Sequence, residues 1–381
     1  MSNKRYDVKL DAAALSLEPT QIIFLLPGFA PNPVGGYKVV YEYANGLVAL
    51  GYSVKILQSW RFSGAPQAPL KTFRFLRNLR HFQAVRLNTR PSWFDLDPRV
   101  TLTNHFQRRT TNIPPALVAV ATAAQTAPAV QLLAERHGVA GVYLIQHFEN
   151  WAVSDTFLTS TWLLPLRRVV IAPWLQEIGR RLGVESTVVA NAVDPLAFPL
   201  GAPIADRPLS VVAMISPMVF KRSDLVCEVF DELKRLIPGV EGTTFGVSNR
   251  PKNLPSYVTH HKLPTGQELQ SLYAEARVYF CASDSEGWHL PGTEAMASGA
   301  AFVSTDNGGV RAYADGVAKF TAVGDGLGIA ASVHDLLRDE TENQRLATAG
   351  AQRVLTYGPS DAVIAFAAEI RAAIDQLTCH K

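Results

Sequence analysis

Cysteine is scarce in this chain: Cys227, Cys281 and Cys379 are the three in 381 residues, and they lie far apart. That count excludes a disulfide framework, and the spacing offers no Cys/His metal site, so inert thiols in a reducing compartment are expected. Long apolar runs are missing as well. No stretch of about 18 uncharged apolar residues is present to span a bilayer. The opening MSNKRYDVKL holds no apolar signal segment, which points to a cytoplasmic protein. Charge is sparse too, at 18% of residues and a net +3, too little to argue for a nucleic-acid partner. Acid is absent altogether between Lys71 and Arg90, where Arg74, Arg77, Arg80 and Arg86 recur. At helical spacing Phe75, Leu76, Leu79 and Phe82 share one side of that stretch and the first four cations the other. One reading is a surface helix packed on its own domain. The other is a helix lying on an anionic membrane surface, a peripheral contact at the inner membrane face.

What the chain does have is apolar residues, 48% of the total, over a length suited to two domains of roughly 150–200 residues. Apolar runs alternate with helix-like stretches, the pattern of parallel sheets covered by helices on both faces. Strands are expected at 21–27, 52–58, 100–104, 141–146, 168–173 and 186–191. The loop GFAPNPVGG leads from the first strand into a helix, and further helices are expected near 115–137 and 174–182. Residues 192–208 are Pro-rich without periodicity, a linker between a domain over 1–191 and a second over 209–357. The second series runs LSVVAMIS, a helix near 223–237, TTFGV, YVTHHK, a helix near 266–276, VYFCA and AFVST. A last segment, 358–381, carries a helix that returns to the first domain. Two doubly wound domains would face a central cleft where such folds bind ligands.

Residues 278–309 carry the chemistry. VYFCA reads as a strand, SDSEGWHLPG as a loop at its carboxyl end, and TEAMASG as the start of a helix. A helix start presents unpaired N–H groups and a positive partial charge, a seat for a diphosphate. Glu294 would fall in the first turn, suited to ribose hydroxyls, and Glu286 at the sheet edge, suited to a sugar hydroxyl. Asp95-Leu96-Asp97 and Asp284-Ser285-Glu286 imitate an Asp-x-Asp metal site, but such tripeptides are common by chance, and no metal is expected.

The string Glu286-Gly287-Trp288-His289-Leu290-Pro291, continuing through Glu294-Ala-Met-Ala to Gly299, resembles the signature of retaining GT-B glycosyltransferases of the family-4 type. Gly308-Gly309 matches the small pair after the next strand there. NAVDPLAF (191–198) is similar to the segment that ends the first domain, with Ala192 in place of the usual Gly. FKRSDLVCEVFDELK resembles the region whose lysine, here Lys221, contacts the donor diphosphate. Gly35-Gly36 resembles the loop whose amides meet the donor phosphate. VYLIQHFENW resembles the strand end that places a polar residue, here His147, near the transferred sugar. The Gln146–Glu149 string is also similar to rhamnosyltransferases of polysaccharide assembly. The chain departs from the family upstream of Lys221, where Ile215, Ser216 and Pro217 stand in place of Gly-Arg. Arg222 or the loop backbone would then substitute.

The resemblance implies a GT-B fold of two Rossmann-like domains. It implies a retaining enzyme that moves a sugar from a nucleoside diphosphate to a glycan or lipid-linked acceptor in polysaccharide synthesis, without a cofactor. Glu286, Lys221 and His147 would be catalytic. Gly35, Gly36, Lys221, Arg222, Gly287, Trp288, His289, Leu290 and Glu294 would bind the donor, which the Gln146–Glu149 string tilts toward dTDP-rhamnose. Two other readings stay open at this point: a catalytically silent sugar-nucleotide or glycan-binding partner, and a nucleotide-sugar epimerase.

Overall fold

A computed structural model describes residues 20–59, 90–105 and 116–379. It divides into two compact units, residues 1–190 with 359–381, and residues 191–358. Unit 1 is built on a seven-stranded sheet of β1 (Gln21–Leu26), β2 (Ser53–Ser59), β3 (Thr101–His105), β4 (Val118–Ala121), β5 (Ala140–Ile145), β6 (Arg167–Val170) and β7 (Thr187–Val188). Its order is β3-β2-β1-β4-β5-β6-β7, every pair parallel. Helices α1 (Gly35–Ala49), α2 (Ala127–His137), α3 (Asp155–Trp162) and α4 (Pro173–Arg181) connect the strands. The central strands are apolar throughout because both faces are covered: Ile22, Phe24, Leu25 and Val118–Ala121 are inaccessible to solvent or nearly so.

Unit 2 carries a six-stranded parallel sheet of β8 (Ser210–Met214), β9 (Glu241–Gly246), β10 (Val258–Lys262), β11 (Val278–Cys281), β12 (Ala301–Thr305) and β13 (Lys319–Thr321). Its order, β10-β9-β8-β11-β12-β13, repeats the arrangement of unit 1. In both, the order reverses at the first strand, and loops leaving the carboxyl ends of the two strands there diverge to leave a crevice. The connecting helices are α5 (Ser223–Leu236), α6 (Gln267–Ala274), α7 (Leu290–Ala297), α8 (Arg311–Ala314), α9 (Gly326–Arg338) and α10 (Glu340–Val354). Phe230, Val229 and Leu233 of α5 meet Phe280, Val211 and Ile329 in one buried cluster.

The last helix, α11 (Pro359–Cys379), belongs to unit 1. Phe366 stacks on Tyr43 of α1 with centroids 4.3 Å apart and on Phe24 of β1 at 6.1 Å. Arg167 of β6 donates to Glu369 at 2.7 Å.

Three sequence expectations change. The helix placed near 115–137 is a strand, β4, followed by a shorter helix, α2. The run LVAVATAA suits either state by pattern, and its position between β1 and β5 decides for strand. The strand placed at 186–191 pairs over only Thr187–Val188, at the sheet's edge. Gly35-Gly36 are the first residues of α1 itself rather than a loop before it. The basic stretch from Lys71 falls outside the described residues up to position 89. Its last cation, Arg90, is occupied: its guanidinium donates to the carbonyls of Leu96, Asp97 and Val100. Among the described residues no helix is long and apolar enough to cross a membrane.

One close contact between α1 and α11 is exacting. A Cβ on Gly46 would lie 2.3 Å from Cγ2 of Val363 and 2.7 Å from its Cγ1, and valine cannot swing both methyls away. Gly46→Ala is expected to destabilise unit 1 by about 1–3 kcal/mol despite the better helix propensity of alanine. Adding Val363→Ala should recover part of that loss, as read by urea unfolding. Equal or greater stability of Gly46→Ala alone would contradict the packing described.

Candidate functional site

The crevice of unit 2 opens where β8 and β11 part. The loop after β8 is short and pinned. Ser223 Oγ donates to the Ser216 carbonyl at 2.7 Å and accepts from the Ser216 amide at 2.9 Å. A single 3-10 turn over Val219–Lys221 follows, and the Asp284 amide donates to the Phe220 carbonyl at 2.8 Å, joining this loop to the one after β11. The turn delivers Lys221 to Glu286: Nζ lies 2.5 Å from Oε2, with the carboxylate only 3% exposed.

Glu286 is seated by a backbone constraint. It makes a parallel bridge with Gly308, and a Cβ on the adjacent Gly309 would lie 2.2 Å from the Glu286 carbonyl oxygen. The small pair after β12 is therefore required so that two loops can touch. The other carboxylate oxygen, Oε1, accepts from Ser283 Oγ at 2.7 Å and faces His289 Nδ1 at 2.9 Å. Burial by itself would raise the Glu286 carboxyl. Lys221 first and His289 second outweigh it and hold the group well below the usual carboxylate range.

His289 is equally enclosed. Burial pulls its imidazole down, but Cys281 and Glu286 overcome that and push it up to about 9, so the ring is charged at neutral pH. Cys281 is drawn down in turn by His289 against the effect of its own burial. Cys281, Glu286 and His289 offer potential metal-ligand atoms within 4.8 Å of one another. Lys221 already occupies the same carboxylate, and His289 Nε2 lies 3.0 Å from the Tyr279 hydroxyl, so the set is a hydrogen-bonded ion cluster as it stands. The sequence signal that could have exposed it is a histidine three residues after the glutamate and eight after the strand's cysteine.

The remaining motif residues take distinct places. Glu294 lies one residue beyond the first turn of α7, not within it, is buried, and accepts from the Tyr273 hydroxyl at 3.1 Å. Trp288 is buried between Tyr313 and Tyr357, with centroids 5.1 and 5.4 Å away. Gly287 and Leu290 are buried beside it, and Leu290 opens α7. Arg222 has a left-handed backbone (φ 50°) and reaches over to Asp284 at 3.1 Å while also gripping Asp224. The position that lacks the family's arginine is core: Ile215 is 2% exposed and its amide donates to the Phe245 carbonyl. Both imitation metal motifs are paired to cations, Asp284 with Arg222 and Asp97 with Arg99.

In unit 1, Gly35 and Gly36 open α1 after β1, and His147 lies in the loop after β5. Gln146 Nε2 donates to the Gly36 carbonyl at 3.1 Å. His147 is half-buried, edge-on to Trp151 at 4.3 Å and Trp174 at 5.5 Å. Lys221, Arg222, Glu286–Leu290 and Glu294 are thus brought together in unit 2, and the glycines and His147 in unit 1.

Residues 210–339, most of unit 2, match the family model described as Glycosyl transferases group 1. Among curated proteins no sequence matches the chain. Among solved structures, sucrose-phosphate synthase from Thermosynechococcus elongatus is similar, with a TM-score of 0.69 at 15% identity over 95% of this chain and 100% of the other. HepE from Anabaena, in complex with UDP and glucose, gives 0.67 at 13% identity over 93% and 100%. TarM of S. aureus gives 0.67 at 10% over 93% and 99%. These likenesses establish the fold: two Rossmann-like α/β domains, the GT-B architecture.

Unit 1 holds one titrating group with the opposite character to Glu286. Glu149 Oε2 accepts from the Ala124 amide at 2.7 Å, and burial pushes its carboxyl up to about 7 against the lowering effect of that N–H. The folded chain therefore keeps a proton that the unfolded chain, near 4.5, releases. This contribution to stability is complete below about pH 4.5 and is lost as pH rises through about 7. Glu149→Gln should flatten the decline of unfolding free energy between about pH 5 and about pH 8. A variant with the same pH slope as the parent would show that Glu149 is not the group responsible.

Proposed function

We propose that the protein is a retaining glycosyltransferase that transfers a sugar from a nucleoside diphosphate to a glycan or lipid-linked glycan acceptor in cell-surface polysaccharide synthesis. The observation that carries this reading is the Lys221–Glu286 pair at the switch point of a sheet that matches the group 1 glycosyltransferases. Unit 2 takes the donor. Departure of a nucleoside diphosphate builds negative charge, and Lys221, Arg222 and the amides of residues 288–290 supply the opposite charge. Glu294 holds ribose hydroxyls, and Glu286 a hydroxyl of the transferred sugar. Transfer proceeds on one face. The acceptor oxygen bonds to the anomeric carbon as the bond to the diphosphate oxygen breaks, and the acceptor's proton passes to that departing oxygen. No metal has a part in this scheme.

Unit 1 takes the acceptor, with His147 near the transferred sugar and the amides of Gly35 and Gly36 as further phosphate donors. UDP is the first nucleotide to try, because HepE is described with UDP and glucose. dTDP-rhamnose is the second, on the strength of the Gln146–Glu149 string. A peripheral contact of the 71–90 stretch with anionic lipid would bring the enzyme to a lipid-linked acceptor.

Two outcomes follow. Glu294→Gln keeps an acceptor for Tyr273 but removes the charge, and should weaken nucleoside diphosphate binding by roughly ten- to a hundredfold, with little change in melting temperature. Unchanged affinity by calorimetry would remove the ribose assignment. Transfer should also persist in excess EDTA, while Lys221→Met should lower kcat by about a hundredfold or more. Activity abolished by chelation and restored by Mg²⁺ would overturn the metal-free scheme.

A further inference from the structure

Lys221 faces a conflict on the reading just given, and the present inference rests on that reading. Its ammonium is already bound to Glu286. A diphosphate would draw the ammonium away from that carboxylate, and a buried carboxylate deprived of its partner is strongly unfavourable. The cluster contains a second cation on the opposite oxygen. His289 Nδ1 lies 2.9 Å from Glu286 Oε1, where Ser283 Oγ also donates.

His289 occupies a backbone position with φ 71° and ψ 71°, a left-handed region that residues with side chains seldom adopt. Contacts on every side hold it there. Nε2 pairs with the Tyr279 hydroxyl from β11, and the His289 carbonyl accepts from Tyr313 of α8 at 3.2 Å. The ring lies parallel to Phe302 of β12, 5° between planes and 6.3 Å between centroids. The titratable groups that face it are Cys281 and Tyr279 from β11, Glu286 from the loop and Tyr313 from α8. A charged ring thus stays fixed behind Glu286 whatever Lys221 does.

We propose that His289 is a positioning residue that keeps Glu286 partnered while Lys221 moves from that carboxylate to the donor diphosphate. His289 touches neither donor nor acceptor in this role. Two cations share one buried carboxylate, so that losing either is tolerated and losing both is not.

A double-mutant cycle tests the sharing without reference to activity. Lys221→Met, His289→Gln and the combination are compared by thermal unfolding at neutral pH. Glutamine leaves a hydrogen-bond donor at the same backbone position but removes the charge and the ring against Phe302; the loss of the ring is common to the single and the combined variant and cancels in the cycle. The combined variant is expected to melt about 3 °C or more below the sum of the single shifts. Additive shifts would overturn the proposal. Should the combined variant fail to fold, Glu286→Gln is added to it: recovery of folding supports the shared carboxylate, and continued failure overturns it. UDP titration supplies the second arm. His289→Gln should bind UDP about tenfold more weakly at pH 7, and the parent should approach the variant's affinity as pH rises past about 9. Equal affinity at pH 7 would overturn the movement of Lys221. If the parent itself binds no UDP, the donor assignment fails together with that movement, while the cycle still decides whether the carboxylate is shared.

Discussion

A carboxylate buried at the edge of a parallel sheet has to be matched by positive charge, and unit 2 is organised around that requirement at Glu286. Its two oxygens are divided between Lys221 on one side and His289 with Ser283 on the other. Leaving such a carboxylate with no cationic partner typically costs about 3–5 kcal/mol, so the residues that deliver these partners are as constrained as the partners themselves. The Ser216–Ser223 clasp sets the turn that carries Lys221. The Gly308-Gly309 pair lets the loop after β12 lie against Glu286.

The two buried glutamates show how surroundings decide protonation. Glu149 and Glu286 both follow a parallel strand at its carboxyl end. Glu286 has two cations beside it and stays ionised. Glu149 has a single backbone N–H and is pushed up to about 7. The same side chain on the same kind of sheet edge is a fixed charge in one unit and a titrating group in the other.

Much of the fold was legible because parallel strands covered on both faces are written as unbroken apolar runs. QIIFLL, SVVAM, VYFC and AFVST were found within a residue or two of their ends. β4 was hidden by composition: Val118–Ala121 is half alanine and runs directly into further alanines, which read as helix until the strands on either side are known. In the site, Glu286 and Glu294 stood out from their places around the turn after a strand, and Lys221 from the family resemblance alone. The cluster behind them was not, because its logic is three-dimensional. Nothing in the string CASDSEGWHL announces that His289 has a left-handed backbone, that its ring returns to Glu286, or that Cys281 lies against it. Lys221 and Glu286, 65 positions apart, meet only because β8 and β11 are neighbours in the sheet.

The central claim is that Lys221 serves two anions in turn, and a crystal structure of the protein with UDP bound tests it most directly. The account predicts Lys221 Nζ within about 3 Å of a phosphate oxygen, with Glu286 still paired to His289. A diphosphate bound elsewhere, with Lys221 still on Glu286, would contradict it.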